Sequence, residues 1–255
     1  RGGTTFFAAF EDDLPQALAG SHAMTQNVRS KIFPISGLFA VVSHPSVRRR
    51  GLARKVIDAL QAEMRDSGLS FSLLYPFRES FYERLGYVPF PQPRYVKFVS
   101  SSLEPLLKQE LGGHVEVALN TENQAEYITF TRQLQSKRHG MAIFDVPPPT
   151  LPERYQLWIA LAKADGKTIG AAVYSIEGSI ITQFTMRIHN FYYSTPQGRF
   201  LLLEWIARHL GQASEVELWL APDEFPETWH PDLEYSYGIV TKPPMGRVLD
   251  VAQIG

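Results

Sequence analysis

Four arginines lie within seven residues, between positions 48 and 54, at the start of a predicted helix. The stretch reads SVRRRGLARKVIDAL over residues 46–60, and Gly51 separates the basic cluster from apolar residues at helical spacing. The first turn of a helix leaves backbone N–H groups unpaired, and the helix dipole favours anions there. A glycine also lets a ligand approach the backbone closely. The pattern therefore predicts a site for a diphosphate or a 3′-phosphate, with charge supplied by Arg48, Arg49, Arg50 and Arg54. A solvated surface cluster is the alternative interpretation.

Composition restricts the classes of function that the chain can have. Apolar residues make up 44% of the 255 residues, charged residues 20%, and the formal net charge is -1. This near-neutral balance argues against general nucleic-acid or membrane-surface binding. Without cysteine, disulfides, thiolate nucleophiles and Cys-based metal sites are excluded, and the seven histidines lack metal-ligand spacing, so we predict no metal site. No apolar stretch is long enough to span a bilayer and no signal pattern is recognised, so we expect a cytoplasmic protein.

Strands and helices alternate through the first hundred residues. We predict a hairpin from a strand around Ala17 and a strand over residues 28–33, bent at Pro34, followed by a buried strand over residues 37–45. The helix that follows Gly51 ends at Gly68. A strand over residues 69–77, a short helix over residues 78–87 and a strand over residues 95–99 complete this part.

The second half repeats the alternation. We predict a helix in SSLEPLLKQEL, a strand in HVEVAL and a long helix in TENQAEYITFTRQLQSKRH. A proline-rich linker over residues 145–154 precedes a hairpin with its turn at ADGKT, a helix in PQGRFLLLEWIARHL and a strand in EVELWLA. The chain is therefore predicted to hold two α/β units in tandem, residues 1–100 and 101–255, with a boundary near residues 99–103.

Two motifs resemble those of the GNAT acetyltransferase superfamily. HPSVRRRGLA is similar to its pyrophosphate-binding motif, (Gln/Arg)-x-x-Gly-x-(Gly/Ala), supplied here by Arg48, Gly51 and Ala53. FYERLGY resembles the helix after the next strand of that fold. Together the motifs cover residues 37–88 and look most like the branch of the enhanced intracellular survival (Eis) acetyltransferases, which acetylate amines such as those of aminoglycosides.

The resemblance implies a mixed α/β (α+β) fold of tandem GNAT-like units. Each unit would be a mostly antiparallel sheet, flanked by helices, with one splayed parallel strand pair, and the second unit would be degenerate because it lacks the Arg-x-x-Gly-x-Ala pattern. The co-substrate would be acetyl-CoA, with no metal. Its pantetheine arm would bind main-chain groups of Val41, Val42 and Ser43, its phosphates the loop that includes Leu52 and Ala53, and its other side would be bordered by Phe77 and Arg78.

In this resemblance Tyr82 is the general acid that protonates the departing CoA thiolate. A phenol keeps its proton at neutral pH and can give it to a strong base, although a half-buried packing tyrosine is the alternative. We expect His44 to be a turn residue rather than a base. No general base is assigned, since position does not choose among acidic residues such as Glu79, Glu83 and Glu227.

Two functions are consistent with these residues. The first is N-acetyl transfer to a primary amine of a small molecule or a lysine; the second is non-catalytic acyl-CoA binding or a scaffold role. Relative to the Eis branch, we expect the chain to lack the first strand and helices of the fold and the C-terminal sterol-carrier-like domain. We expect no nucleic-acid or membrane partner, and homo-oligomerisation is left open.

Overall fold

The computed structural model describes residues 3–91, 93–145, 157–180, 183–229, 233–239 and 242–254. The α-helices in these ranges are α1 (Leu52–Asp66), α2 (Glu79–Glu83), α3 (Asn120–Gln135) and α4 (Pro196–Ala207). The strands are β1 (Thr4–Glu11), β2 (Leu14–Val28), β3 (Lys31–Ser43), β4 (Phe71–Leu74), β5 (Val88–Pro89), β6 (Arg94–Phe98), β7 (His114–Leu119), β8 (Ala142–Phe144), β9 (Trp158–Ala164), β10 (Lys167–Ile180), β11 (Gln183–Tyr193), β12 (Ala213–Leu220), β13 (Ser236–Ile239) and β14 (Met245–Val248). Among the described residues, no helix combines the length and apolar character that crossing a membrane requires.

The chain folds into two compact units, each with its own sheet. Unit 1 takes in the described residues within 1–91, 135–149 and 241–255, and unit 2 those within 92–134 and 150–240. This grouping differs from a single division near residues 99–103. The strand predicted at the end of the first domain, β6, pairs with β12 and β13 in unit 2, whereas β14 pairs with β4 and β5 in unit 1. The predicted proline-rich linker lies, apart from Asp145, outside the described residues.

The sheet of unit 1 has the order β1-β2-β3-β4-β14-β5, with β8 paired to β2. All of its neighbours are antiparallel except β3 and β4, which run parallel. Helix α1 packs against β1, β2 and β3. The predicted apolar stripe is confirmed: Val56, Ile57, Leu60 and Met64 are buried, as expected for one face of an amphipathic helix.

The structure corrects the predicted hairpin. β3 is one strand from Lys31 to Ser43, and β2 pairs with it over nearly its whole length. Pro34 does not interrupt β3, because its carbonyl faces the β4 side and accepts the N–H of Ser70 at 2.9 Å, and β4 begins only at Phe71. The missing N–H of the proline therefore costs no ladder bond. Residues 4–11, for which the sequence pattern predicts no element, form β1.

Unit 2 has the sheet order β13-β6-β12-β11-β10-β9-β7. β11 and β12 are its parallel pair, and α4 connects them. Predicted strands and helices are confirmed for β7, α3, α4 and β12, and the predicted hairpin turn is confirmed at Asp165 and Gly166, both with positive φ. Residues Ser100–Lys108 form a 3-10 helix that contains Pro105. Both units therefore have the predicted mixed sheet with one parallel pair.

Candidate active site

The parallel strands β3 and β4 of unit 1 separate soon after they meet. They pair from Ile35 opposite Phe71 to Gly37 opposite Leu73. β4 then ends at Leu74, whereas β3 continues to Ser43, paired only with β2. The edge of β3 after Gly37 therefore has no strand partner on the β4 side among the described residues. The main-chain groups of this edge are available to an extended ligand. The separation of β3 and β4 is the predicted splayed strand pair.

A β-bulge lies on this open stretch of β3. Leu18 pairs with Val42 and Gly20 with Phe39, so Ala40 and Val41 together oppose one residue of β2. Ala40 has a φ of 50°, in the left-handed region that side chains disfavour. Bulges twist a strand and redirect its groups. Val41, the first of the predicted pantetheine-binding residues 41–43, is therefore part of this bulge, which residue types alone did not indicate.

Residues 44–54, which comprise the loop after β3 and the first residues of α1, are called the phosphate loop here after the predicted site. The His44 ring nitrogen Nδ1 lies 2.6 Å from Ser46 Oγ, and His44 precedes a 3-10 helix over Pro45–Val47, which confirms its role in a turn. Arg49 and Gly51 have φ values of 67° and 83°. These two left-handed residues flank Arg50, which has no positive φ. Successive backbone N–H groups in such turns can form a concavity that suits anions.

Helix α1 begins within the phosphate loop, at Leu52. Its first backbone bond runs from the N–H of Lys55 to the carbonyl of Gly51 at 3.1 Å, so the N–H groups of residues 52–54 precede the hydrogen-bonded helix. No acidic residue lies in the first turn. Leu52 and Ala53 are half-buried, and a Cβ added at Gly51 would meet no atom within 4 Å. The N-terminus of α1 is therefore open and positively polarised.

The four arginines of the loop differ in their partners. Arg50 donates two bonds to the carboxylate of Glu11, at 2.7 and 2.9 Å. Arg54 lies 3.7 Å from Asp58 one turn along α1. Arg48 and Arg49 are exposed and form no ion pair with any residue that the structure describes. Arg48 and Arg49 are therefore without an ion pair among the described residues, whereas Arg50 is bound to Glu11 of β1.

Tyr82 lies on α2, the short helix after β4. Its side chain is 3% exposed. Phe77 and Phe81 contact its ring, with centroids at 5.4 and 5.0 Å. Burial, with a smaller contribution from Tyr87, raises the pKa of Tyr82 to about 12. Among the described residues, no group forms a hydrogen bond with the Tyr82 hydroxyl, so its proton has no acceptor there.

The other two predicted residues of this region lie where β4 leads into α2. Phe77 is exposed beyond its ring contact with Tyr82, and its carbonyl accepts a bond from the Lys242 ammonium. Arg78 is the extended residue that precedes the first turn of α2, and its side chain is exposed. The rings of Phe77 and Tyr82 are therefore in contact, and Arg78 follows Phe77 in the chain.

A buried polar chain next to Tyr82 was not predicted. The hydroxyl of Tyr87 lies 2.7 Å from Ser72 Oγ and accepts a bond from Gln61 Nε2 at 3.1 Å. Arg247 of β14 donates to Gln61 Oε1 and, at 2.6 Å, to the carbonyl of Leu85. Only the aromatic residue after Gly86 was visible in the sequence as part of a motif. The arginine comes from a strand far along the chain, with no local signal.

The corresponding region of unit 2 is occupied by its own side chains. Thr195 caps α4 by accepting the N–H of Gly198 at 3.2 Å, and a Cβ at Gly198 would lie 2.2 Å from the Ile169 carbonyl oxygen. The Arg199 guanidinium lies over the rings of Tyr193 and Trp229, at 5.4 Å from each. The start of α4 thus packs against protein, in contrast to the open start of α1.

Comparisons with known proteins relate this geometry to a family. The sequence profile described as acetyltransferase (GNAT) domain matches residues 4–90. No curated protein sequence matches the chain.

Solved structures with similar folds match nearly the whole chain. A GCN5-related N-acetyltransferase from Anabaena variabilis is 18% identical, with a TM-score of 0.81 over 96% of this chain and 63% of its own. One from Kribbella flavida is 20% identical, with a TM-score of 0.74 over 96% and 60%. Eis1 from Mycobacterium abscessus is 15% identical, with a TM-score of 0.71 over 96% and 64%. The chain thus spans less than two thirds of each of these proteins, and the likeness shows the fold.

Proposed function

We propose that this chain, whose residues 4–90 match the acetyltransferase (GNAT) domain profile, is part of an enzyme that transfers an acetyl group from acetyl-CoA to a primary amine. The acceptor is a small molecule or a lysine side chain. The observation that carries the proposal is the separation of β3 and β4 after Gly37 and Leu73, together with the open, basic start of α1. Acyl-CoA binding needs both an extended slot for pantetheine and an anion site for the phosphates.

In this proposal the phosphate loop holds the nucleotide end of acetyl-CoA. Arg48 and Arg49 supply charge-assisted bonds to phosphate oxygens, while the N–H groups of residues 52–54 supply neutral ones. The main chain of residues 41–43 pairs with the amides of the pantetheine arm, as a neighbouring strand would. Phe77 and Arg78 border the opposite side of the slot. The side chains of Arg48 and Arg49 are exposed, and the edge of β3 after Gly37 has no strand partner on the β4 side among the described residues.

The reaction has two bond changes at the thioester carbon. The neutral amine nitrogen of the acceptor forms a bond to this carbon, and the C–S bond then breaks to release CoA thiolate. Tyr82 gives its proton to the sulfur, and the proton lost by the amine is the one that finally restores the phenol. The buried phenol suits this role because its raised pKa keeps it protonated until a thiolate develops beside it.

Replacing Tyr82 by phenylalanine tests the proposal. The change removes one oxygen, so folding and acetyl-CoA affinity should stay nearly unchanged, while kcat should fall by about 10²- to 10⁴-fold. Turnover is measured as thiol release with a panel of saturating primary amines, and affinity by calorimetry. Tyr95→Phe, on β6 of unit 2, makes the same chemical change at a residue to which the proposal assigns no role, and it should have no effect.

Two results would count against the proposal in different ways. A Tyr82→Phe enzyme that keeps its kcat within a factor of about three would contradict the acid role but not acetyl transfer. Tight acetyl-CoA binding by the wild type with no turnover of any amine would instead indicate the non-catalytic acyl-CoA-binding function.

A further inference from the structure

The guanidinium of Arg247 lies at the turn that ends α2. Gly86, with a φ of 79°, forms this turn, and a Cβ there would lie 3.4 Å from Arg247 Nε. The N–H of Gly86 donates to Glu83 and the N–H of Tyr87 donates to Tyr82, the bond pattern of a Schellman motif. Arg247 adds a bond of 2.6 Å to the Leu85 carbonyl. A cation thus binds the C-terminal end of α2, where unpaired carbonyls favour positive charge.

Arg247 also determines the orientation of the Gln61 amide in the buried hydrogen-bond chain. A guanidinium can only donate, so the Gln61 atom that it contacts is the amide oxygen. The amide nitrogen of Gln61 therefore faces the Tyr87 oxygen and donates to it at 3.1 Å. The Tyr87 hydroxyl also lies 2.7 Å from Ser72 Oγ, and either hydroxyl can be the donor of this bond. Gln61, Ser72 and Tyr87 are each at most 1% exposed, so water does not compete for these bonds.

The position of Tyr82 depends on this turn. α2 has five residues, too few to be a stable helix without tertiary contacts. The carbonyl of Tyr82 accepts the N–H groups of Leu85 at 2.9 Å and of Tyr87 at 3.1 Å. The rings of Tyr82 and Tyr87 also meet edge to face, with centroids 5.9 Å apart. Arg247 and Gln61 therefore bind Leu85 and Tyr87, and these two residues in turn contact the backbone and the ring of Tyr82.

We propose that Arg247 is a positioning residue for Tyr82, acting through the Leu85 carbonyl and the Gln61–Tyr87 hydrogen bonds. The inference rests on the proposed function, because it assigns Arg247 a part in presenting the phenol to the thioester. Arg247 itself touches no reacting atom. Its effect is on the placement of α2, and a displacement of about 1 Å at such a group costs on the order of 10²-fold in rate.

A double-mutant cycle tests the positioning role. Arg247→Met and Tyr87→Phe are made in the wild type and in Tyr82→Phe, using the full chain. In the wild type, each should lower kcat by about 10- to 100-fold with the acetyl-CoA Kd changed by less than about twofold. In Tyr82→Phe neither should lower kcat further, because the group they place is already absent. Arg247→Lys, which keeps the charge and can donate, should recover part of the loss.

The matched control is Arg84→Met, which removes an exposed arginine from the end of the same helix and should leave kcat unchanged. If Arg247→Met does not fold, Tyr87→Phe carries the cycle alone, since it deletes one atom. Equal loss of kcat in both backgrounds, or a parallel loss of acetyl-CoA affinity, would show general destabilisation and overturn the inference. An inactive wild type would overturn the proposed function and this inference with it. If the wild type is active and kcat falls in Tyr82→Phe but not in Arg247→Met, the inference alone is overturned.

Discussion

The three consecutive arginines of the phosphate loop should contribute unequally to acetyl-CoA binding. Arg48 and Arg49 form no ion pair with described residues, whereas Arg50 donates two bonds to Glu11 at 2.7 and 2.9 Å. A hydrogen bond to a charged group is worth about 1.5–3 kcal/mol. The side chains are exposed, so we take the lower end, which corresponds to roughly tenfold in Kd for Arg48→Gln or Arg49→Gln.

Arg50 must leave Glu11 before it can bind phosphate. An exposed ion pair is worth at most about 1 kcal/mol, and because this pair is bidentate we take about 0.5–1 kcal/mol, which is subtracted from the gain. Arg50→Gln should therefore raise Kd by only about two- to fivefold, and Glu11→Gln should lower Kd by a similar factor because it releases Arg50. Calorimetry with acetyl-CoA at fixed salt gives these values, with Arg65→Gln at the other end of α1 as the control.

A loss in Arg50→Gln as large as in Arg49→Gln would refute this ranking. It would mean that the Glu11 pair offers no competition. Unchanged affinity in all three Arg→Gln variants would refute the phosphate loop itself and favour the solvated surface cluster.

Two further predictions concern the same site. Gly51→Val and Gly51→Asn should both weaken acetyl-CoA binding at least about tenfold by calorimetry, since any side chain obstructs the approach of phosphate. Only Gly51→Val should lower Tm, because the left-handed φ of 83° costs a branched residue more than about 1 kcal/mol but suits asparagine. Normal binding by both variants would contradict this prediction. For Tyr82, the folded pKa of about 12 exceeds the ordinary value of about 10, so the folded state keeps a proton that the unfolded state loses in this window. The wild type should therefore lose stability relative to Tyr82→Phe as pH rises from about 10 toward 12 in denaturant titrations, with a constant difference below about pH 10, and kcat should show no alkaline decrease from this phenol below about pH 10. A decrease in the wild type near pH 8 that is absent in Tyr82→Phe would contradict the burial of the phenol.

Local patterns predicted those parts of the site that local forces determine. The buried stripe of α1 and its start after Gly51 follow from helical spacing and from a glycine with positive φ. The turn after α2 follows from Gly86 in the same way. These features depend on residues within one or two turns of each other, so composition and spacing contain enough information.

Features that depend on distant partners were not predicted. The sequence gives no sign that Arg247 reaches Gln61, since the two are 186 positions apart. Pro34 was expected to bend a strand, and only the late start of β4 shows why it does not. Arg50 was grouped with its neighbours because its bond to Glu11 requires β1, whose residues were not assigned to any element. In each case tertiary pairing decides the outcome.

The place of β14 in the sheet has a consequence for how the protein is made. β14 lies between β4 and β5, and it follows all the described strands of unit 2 in the chain. Those strands are therefore synthesised before β14 and can pair with one another while β4 still lacks this neighbour. Closing unit 1 requires a contact across most of the chain, which makes it the slower step. During synthesis the described strands of unit 2 are therefore available to pair before unit 1 acquires β14 and Arg247.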